Sequence, residues 1–206
     1  MMRRWRRLQR GRACNTAKPC ENPEFIPGSG LSAEQGSVEL GDTNMRYHNI
    51  TKDDMLNGDG LRVVLWVAGC SHGCRNCHNP ITWDICGGIP FDEAAKEEIF
   101  EQLRENYVSG ITFSGGDPLH MQNRDETGEL VREIHEKFPE KTIWLYTGYL
   151  WEEVKDLPYI PMIDVLVDGR FVEELKDSNL HWKGSANQRV IDVKKTLEAG
   201  EVVLHA

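Results

Sequence analysis

The chain has 206 residues, a length that fits one ordinary domain and is enough to bury a core without disulfide staples. Its 24 Lys+Arg against 33 Asp+Glu give a formal charge of −9, which argues against a dedicated nucleic-acid binder because such proteins need a basic face. No apolar run approaches the roughly 18 residues of a membrane helix, and the N-terminus lacks the apolar core of a secretory signal, so a cytoplasmic protein with no membrane partner is expected.

The charge is uneven along the chain. Residues 1–20 hold seven basic residues and no acid, leaving 17 basic against 33 acidic groups, or −16, in the remainder. Residues 1–36 are rich in Arg, Pro, Gly and Ser without sustained periodicity, and read as a disordered basic extension. Residues 37–206 read as a single domain, with its folded body starting near Met45.

Leu61–Ala68 (LRVVLWVA) is an apolar, β-branched run typical of a buried parallel strand. A cysteine cluster follows directly on a loop. Phe91–Tyr107 carries Ile99, Phe100, Leu103 and Tyr107 at helical spacing, behind Pro90 and Asp92 as start signals. Ile111–Phe113 is a short strand running into Ser114-Gly115-Gly116-Asp117-Pro118. A second helix is expected over Thr127–Phe138, a strand over Thr142–Tyr146 ending in Thr147-Gly148, and a short helix over Trp151–Leu157. Ile163–Val167 is a further strand, ending in Asp168-Gly169-Arg170. Arg189–Val193 and Glu201–His205 read as a terminal β pair around a turn at Gly200. Strands alternating with helices predict a parallel sheet in an α/β domain. In such sheets ligands bind at the carboxyl ends of the strands, so the Cys loop, the Ser-Gly-Gly-Asp loop, Thr147-Gly148 and Asp168-Gly169-Arg170 should converge.

The six cysteines are Cys14, Cys20, Cys70, Cys74, Cys77 and Cys86. In a reducing compartment, clustered cysteines bind metal or do redox chemistry more often than they form disulfides. Three fall in Cys70-Ser-His-Gly-Cys74-Arg-Asn-Cys77. Three thiolates can hold three irons of a 4Fe–4S cube and leave the fourth open to a small molecule. A structural zinc site closes with four ligands. With no second Cys pair present, His72, His78 or Cys86 would have to complete it. Cys86, Cys14 and Cys20 otherwise read as plain thiols. Bare glycines at 115 and 116 expose backbone groups to close approach, or make an ordinary turn.

The spacing Cys-x3-Cys-x2-Cys resembles the signature of radical S-adenosylmethionine enzymes, although Asn76 stands where many members carry an aromatic. Ser114-Gly115-Gly116-Asp117 resembles their Gly-Gly-Glu element, with Asp117 for Glu. Together Cys70–Trp83 (CSHGCRNCHNPITW), Phe113–Asn123 (FSGGDPLHMQN), Trp144–Tyr149 (WLYTGY), Ile163–Val172 (IDVLVDGRFV) and Gly184–Asp192 (GSANQRVID) resemble the activating proteins of anaerobic (class III) ribonucleoside-triphosphate reductase. The Asp and the missing aromatic both suit that family.

The resemblance implies an incomplete, open β/α barrel. It implies a 4Fe–4S cluster on Cys70, Cys74 and Cys77, with S-adenosylmethionine chelating the open iron. One-electron cleavage then gives a 5′-deoxyadenosyl radical that takes an α-hydrogen from a glycine of the large reductase subunit, leaving a glycyl radical. Ser114, Gly115, Gly116 and Asp117 are implied at the methionine end of the cofactor. Asp168 and Arg170 resemble an Asp-x-Lys pair that meets the cofactor carboxylate or a cation; a solvated surface pair is the alternative. Thr147 and Gly148 are implied against the ribose or adenine, with a plain turn as the alternative. His78, Asn79 and Trp83 flank the cluster, where they would shape the pocket, shield the cluster or meet the partner, with a satisfied structural histidine as the alternative for His78. Asn187, Gln188 and Arg189 match a late family motif without an assigned chemistry. A flavodoxin- or ferredoxin-type donor is implied, and no nucleic acid. The competing readings are an activase for another glycyl-radical enzyme, whose longer relatives carry extra cysteine groups absent here; a small radical enzyme acting on a nucleotide-like metabolite; and a zinc-binding interaction module.

Overall fold

The computed structural model describes residues 45–206. The basic extension, Cys14 and Cys20 lie outside them. Seven strands form one sheet: β1 (Arg46–Asp54), β2 (Leu61–Val67), β3 (Ile89–Pro90), β4 (Val108–Gly115), β5 (Thr142–Tyr146), β6 (Val165–Asp168) and β7 (Arg189–Asp192), in the order β3-β1-β2-β4-β5-β6-β7. The helices are α1 (Glu93–Leu103), α2 (Arg124–Lys137), α3 (Trp151–Val154) and α4 (Val193–Ala199).

The sheet is mixed rather than wholly parallel. β2, β4, β5 and β6 run parallel, with Val63 opposite Ile111, Ile111 opposite Ile143 and Leu145 opposite Leu166. β1 and β3 on one side and β7 on the other pair antiparallel. Four of the expected strands are therefore the middle of the sheet, and the strand expected over Arg189–Val193 is its flank, β7. β1 was not expected because its sequence, RYHNITKDD, is mostly polar; of its nine residues only Tyr47 and Ile50 are buried. It is a strand because it pairs with β2, a tertiary cause that outweighs local preference.

Side chains alternate across the sheet with period two. Val63, Leu65, Val67, Ile111, Phe113, Ile143, Leu145, Leu166 and Ile191 pack with the buried residues of the helices in the main core. Trp144, Val165, Val167 and Val190 form a second, smaller cluster with Tyr146 and Trp182. The helices thus cover one face of the sheet. Full burial of one such Val, Leu, Ile or Phe contributes about 1.5–3 kcal/mol.

Asp92 caps α1 by accepting from the Ala95 N–H at 2.9 Å. The helix stops at Leu103, one turn short of expectation, and Tyr107 is exposed. α2 begins earlier than expected, at Arg124. The Trp151–Leu157 helix shrinks to a single turn. At the C-terminus the expected β pair reduces to one bridge, Ile191 to Leu204. Most of the intervening chain is α4, with Asp192 accepting from the Lys195 N–H at its start and Gly200 at φ 73° as its left-handed cap. No helix among the described residues is long and apolar enough to cross a membrane.

Candidate cluster and cofactor site

Because β2, β4, β5 and β6 are parallel, the loops after them share one edge of the sheet. The loop after β2 carries Cys70, Cys74 and Cys77, which are free and half-buried. Its base is closed by backbone bonds from Gly69 N–H to the Thr82 carbonyl (2.8 Å) and from Cys70 N–H to the Trp83 carbonyl (3.1 Å). Within it, Cys77 N–H donates to the Cys74 carbonyl, and Asn79 N–H donates to Cys77 Sγ at 3.4 Å. Burial pushes the Cys70 thiol up to about 11, against a lowering hydrogen bond with the His72 backbone; the negative charge of Asp117 adds to the rise. A metal that binds there must displace that proton.

The loop after β4 lies against the base of the Cys loop. Gly116 N–H donates to the Val67 carbonyl and Asp117 N–H to the Gly69 carbonyl, both at 2.8 Å. A Cβ on Gly116 would stand 2.4 Å from the Gly69 carbonyl oxygen and 2.8 Å from that of Thr82. The glycine is therefore required by the neighbouring backbone, whatever ligand approaches from outside. Asn123, fully buried, fastens the two loops by donating to the Ala68 and Asp117 carbonyls at 2.8 and 3.0 Å.

Asp117 is 1% exposed, and its carboxylate is filled by four protein donors. Leu119 N–H reaches Oδ1 at 2.8 Å, and the Thr147 hydroxyl lies 2.9 and 3.1 Å from the two oxygens. Gly148 N–H and His72 Nε2 reach Oδ2 at 3.0 and 2.6 Å. The two oxygens of a carboxylate offer about four lone-pair sites, so this group is saturated. It joins the loops after β2, β4 and β5. His72 completes the link: its ring packs edge-on against Tyr149, and a Cβ on Gly148 would stand 2.3 Å from it. The sequence offers His72 only as a zinc ligand, yet its Nε2 is committed to Asp117.

The remaining residues divide. Ser114 is partly exposed at the end of β4. His78 is exposed, Asn79 is half-buried, and Trp83 is 38% exposed on the turn closing the Cys loop. Asp168 is fully buried and does not pair with Arg170. Its carboxylate accepts from Trp151 N–H at 2.8 Å and from Arg189, whose Nε lies 3.0 and 3.1 Å from its oxygens. Arg170 is exposed. Cys86 is exposed, past the turn that closes the Cys loop. Among the described residues, no three His, Cys, Asp or Glu side chains are grouped as a single-ion site requires.

Residues 56–191 match the family model described as a 4Fe-4S single cluster domain. The chain is 43% identical over 146 residues to the anaerobic ribonucleoside-triphosphate reductase-activating protein of Enterobacteria phage T4, covering 71% of this chain and 93% of the relative. It is 43% identical over 150 residues to the protein of the same name in Escherichia coli K12, covering 71% and 97%. The Pasteurella multocida protein of that name is 39% identical over 150 residues, covering 70% and 95%.

Proposed function

The chain belongs to the family of anaerobic ribonucleoside-triphosphate reductase-activating proteins, and from that premise we propose that it is a radical S-adenosylmethionine activase for the large, glycyl-radical subunit of that reductase. The observation that carries this reading is the set of three free thiols on one closed loop, beside a glycine loop at the carboxyl edge of parallel strands. The donor chemistry fits a 4Fe–4S cluster with an open iron: three soft thiolates, the only free cysteines among the described residues, on one loop. When bound, the cluster and S-adenosylmethionine supply one-electron cleavage and a 5′-deoxyadenosyl radical able to take hydrogen from a glycine.

The protein's own part is to bind and orient. Cys70, Cys74 and Cys77 give up thiol protons to hold the cluster. Ser114, Gly115 and Gly116 present bare backbone toward the methionine end of the cofactor. Asp117 acts indirectly, as the anion that holds three loops in register. Thr147 works through the same anion, with its hydroxyl committed to Asp117. Arg170 offers a guanidinium to the cofactor carboxylate. His78 and Asn79, with Trp83, border the cluster loop and shield it. Helices on one face only, with the other covered by a small cluster around Trp144 and Trp182, support an open β/α barrel better than a doubly wound sheet, which carries helices on both. The machinery lies within 37–206, in a cytoplasmic protein reduced by a flavodoxin- or ferredoxin-type donor.

The test is to reconstitute the protein without oxygen, reduce it, add S-adenosylmethionine and the reductase subunit, and record electron paramagnetic resonance. A glycyl-radical doublet is expected with the wild type and none with Cys74→Ala, which should also lose the cluster's absorbance. A single tightly held zinc with no cofactor cleavage would overturn the reading.

A further inference from the structure

Three consecutive side chains near the C-terminus grip three consecutive residues at the end of β6. Asn187 Nδ2 donates to the Arg170 carbonyl at 2.8 Å. Gln188 Nε2 donates to the Gly169 carbonyl at 2.9 Å. Arg189 Nε and Nη2 hold the Asp168 carboxylate. The order is antiparallel, continuing the register in which Asp168 faces Arg189. Beyond that pair the two chains stop being strands, and side-chain amides replace the ladder. The far end of the Gln188 amide is also used: Oε1 accepts from Gly184 and Ser185 N–H at 2.9 and 3.1 Å. Arg189 is itself braced by Glu152, at 2.9 Å.

The gripped residues differ in kind. Asp168 is fully buried and satisfied by Arg189 and the Trp151 N–H, so it has no face for a ligand. The Arg170 guanidinium is exposed and makes no hydrogen bond or ion pair with the described residues, although its carbonyl is tied. A loop held through two backbone carbonyls and one carboxylate thus ends, on the strand-end side that carries the Cys loop, in a cation without a partner among the described residues. Fixing the backbone of such a loop lowers the ordering cost of binding an anion.

We propose that Asn187, Gln188 and Arg189 are positioning residues that set the backbone of Asp168–Arg170, so that Arg170 meets a carboxylate with both arms of its fork, while Asp168 is a strut and not a ligand. This rests on the functional reading above, and the carboxylate is that of the amino-acid end of S-adenosylmethionine. Holding the backbone cuts the ordering cost of binding, so the clamp acts on affinity and leaves the chemical step alone.

The experiment uses the full-length, cluster-loaded protein. Kd for S-adenosylmethionine, and KM and kcat for its dithionite-driven cleavage, are measured in the wild type and four variants. Asn187→Asp keeps the shape and loses the donor to Arg170. Gln188→Glu keeps the acceptor for Gly184 and Ser185 and loses the donor to Gly169. Arg170→Ala removes the cation, and Asn187→Asp with Arg170→Ala closes a double-mutant cycle. Both clamp variants should retain the cluster spectrum and raise Kd and KM about five- to ten-fold, with kcat within about two-fold, the size of one lost hydrogen bond. Arg170→Ala should lose at least as much, and the double variant should be no worse than Arg170→Ala alone. Unchanged affinity in both clamp variants, or losses that multiply in the double variant, would overturn the clamp. If Asn187→Asp fails to hold its cluster, Gln188→Glu alone and combined with Arg170→Ala decides on the same criteria. A wild type that neither binds nor cleaves the cofactor overturns the functional reading first, and the clamp with it.

Discussion

Two buried charges tie the same three strands, β2, β4 and β5, at opposite ends. At the amino end is Arg62, fully buried in β2. Its guanidinium donates to the Ile111 carbonyl and Thr112 hydroxyl of β4, to the Thr142 carbonyl and hydroxyl of β5, and to the Asp59 carbonyl, at 2.6–3.0 Å. It also lies over the Trp144 ring, 5.4 Å from its centroid. Burial pulls it down to about 10, so it is still charged at neutral pH. At the carboxyl end is Asp117, joining the loops that follow the same strands. Both ions are stabilised by saturation with hydrogen bonds, which offsets the cost of burial. They differ in what they hold. The partners of Arg62, apart from Asp59, lie on strands already fixed by the ladder. Those of Asp117 lie beyond the ladder, in loops whose relative position depends on the carboxylate. One ion should therefore govern the stability of the sheet, the other the shape of the site.

Arg62→Met is the severest test. It strands buried carbonyls and hydroxyls without a donor, and should cost about 3–5 kcal/mol in urea unfolding, lost cooperatively across the chain. Asp117→Asn should cost less, about 1–3 kcal/mol, because the amide keeps the shape and one acceptor oxygen. Its mark should be local: faster amide hydrogen exchange at Gly69–Cys77 and Thr147–Tyr149 with the strands still protected, and poor retention of iron. Equal global losses in the two variants would erase the distinction. The smallest effect concerns Glu152, which hydrogen bonds from Arg189 hold below the usual carboxylate range. A depressed carboxyl stabilises above its unfolded pKa and loses that contribution as pH falls through its folded one. Glu152→Gln should thus flatten the acid limb of the stability curve by about 0.3–0.5 kcal/mol, small because the pair is largely exposed. A larger effect would mean that the brace on Arg189 reaches into the core.

The apolar strands and the cysteine loop were legible because each is a local pattern: LRVVLWVA, or three cysteines in eight residues. Arg62 sits inside that apolar run, and nothing local says that its charge is buried and satisfied by residues 49 to 80 positions away. The link between His72 and Asp117 spans 45 residues, and the clamp spans 17 to 21. Such partnerships exist only once the strands are aligned. α4 is a different miss. Its signals, Asp192 before the helix and Gly200 after it, were present, but the flanking β-branched residues drew the reading to strands.

The flanks of the sheet have a consequence for assembly. β3 is two residues long and ends in Pro90, which has no N–H to offer. β1, next to it, is broken by two register shifts and carries Lys52, Asp53 and Asp54. Beyond β7, the chain end is laid across the open side, with Asp192 N–H bonded to the Val203 carbonyl and His205 N–H to that of Val190. Among the described residues, the β7 flank is covered by the chain end, while the β1 flank past Tyr47 is guarded by its charges and irregular register rather than by a strand. A protein that came by strand addition would meet a covered edge on one side and a charged, irregular one on the other, whereas the strand ends that carry the thiols lie outside both.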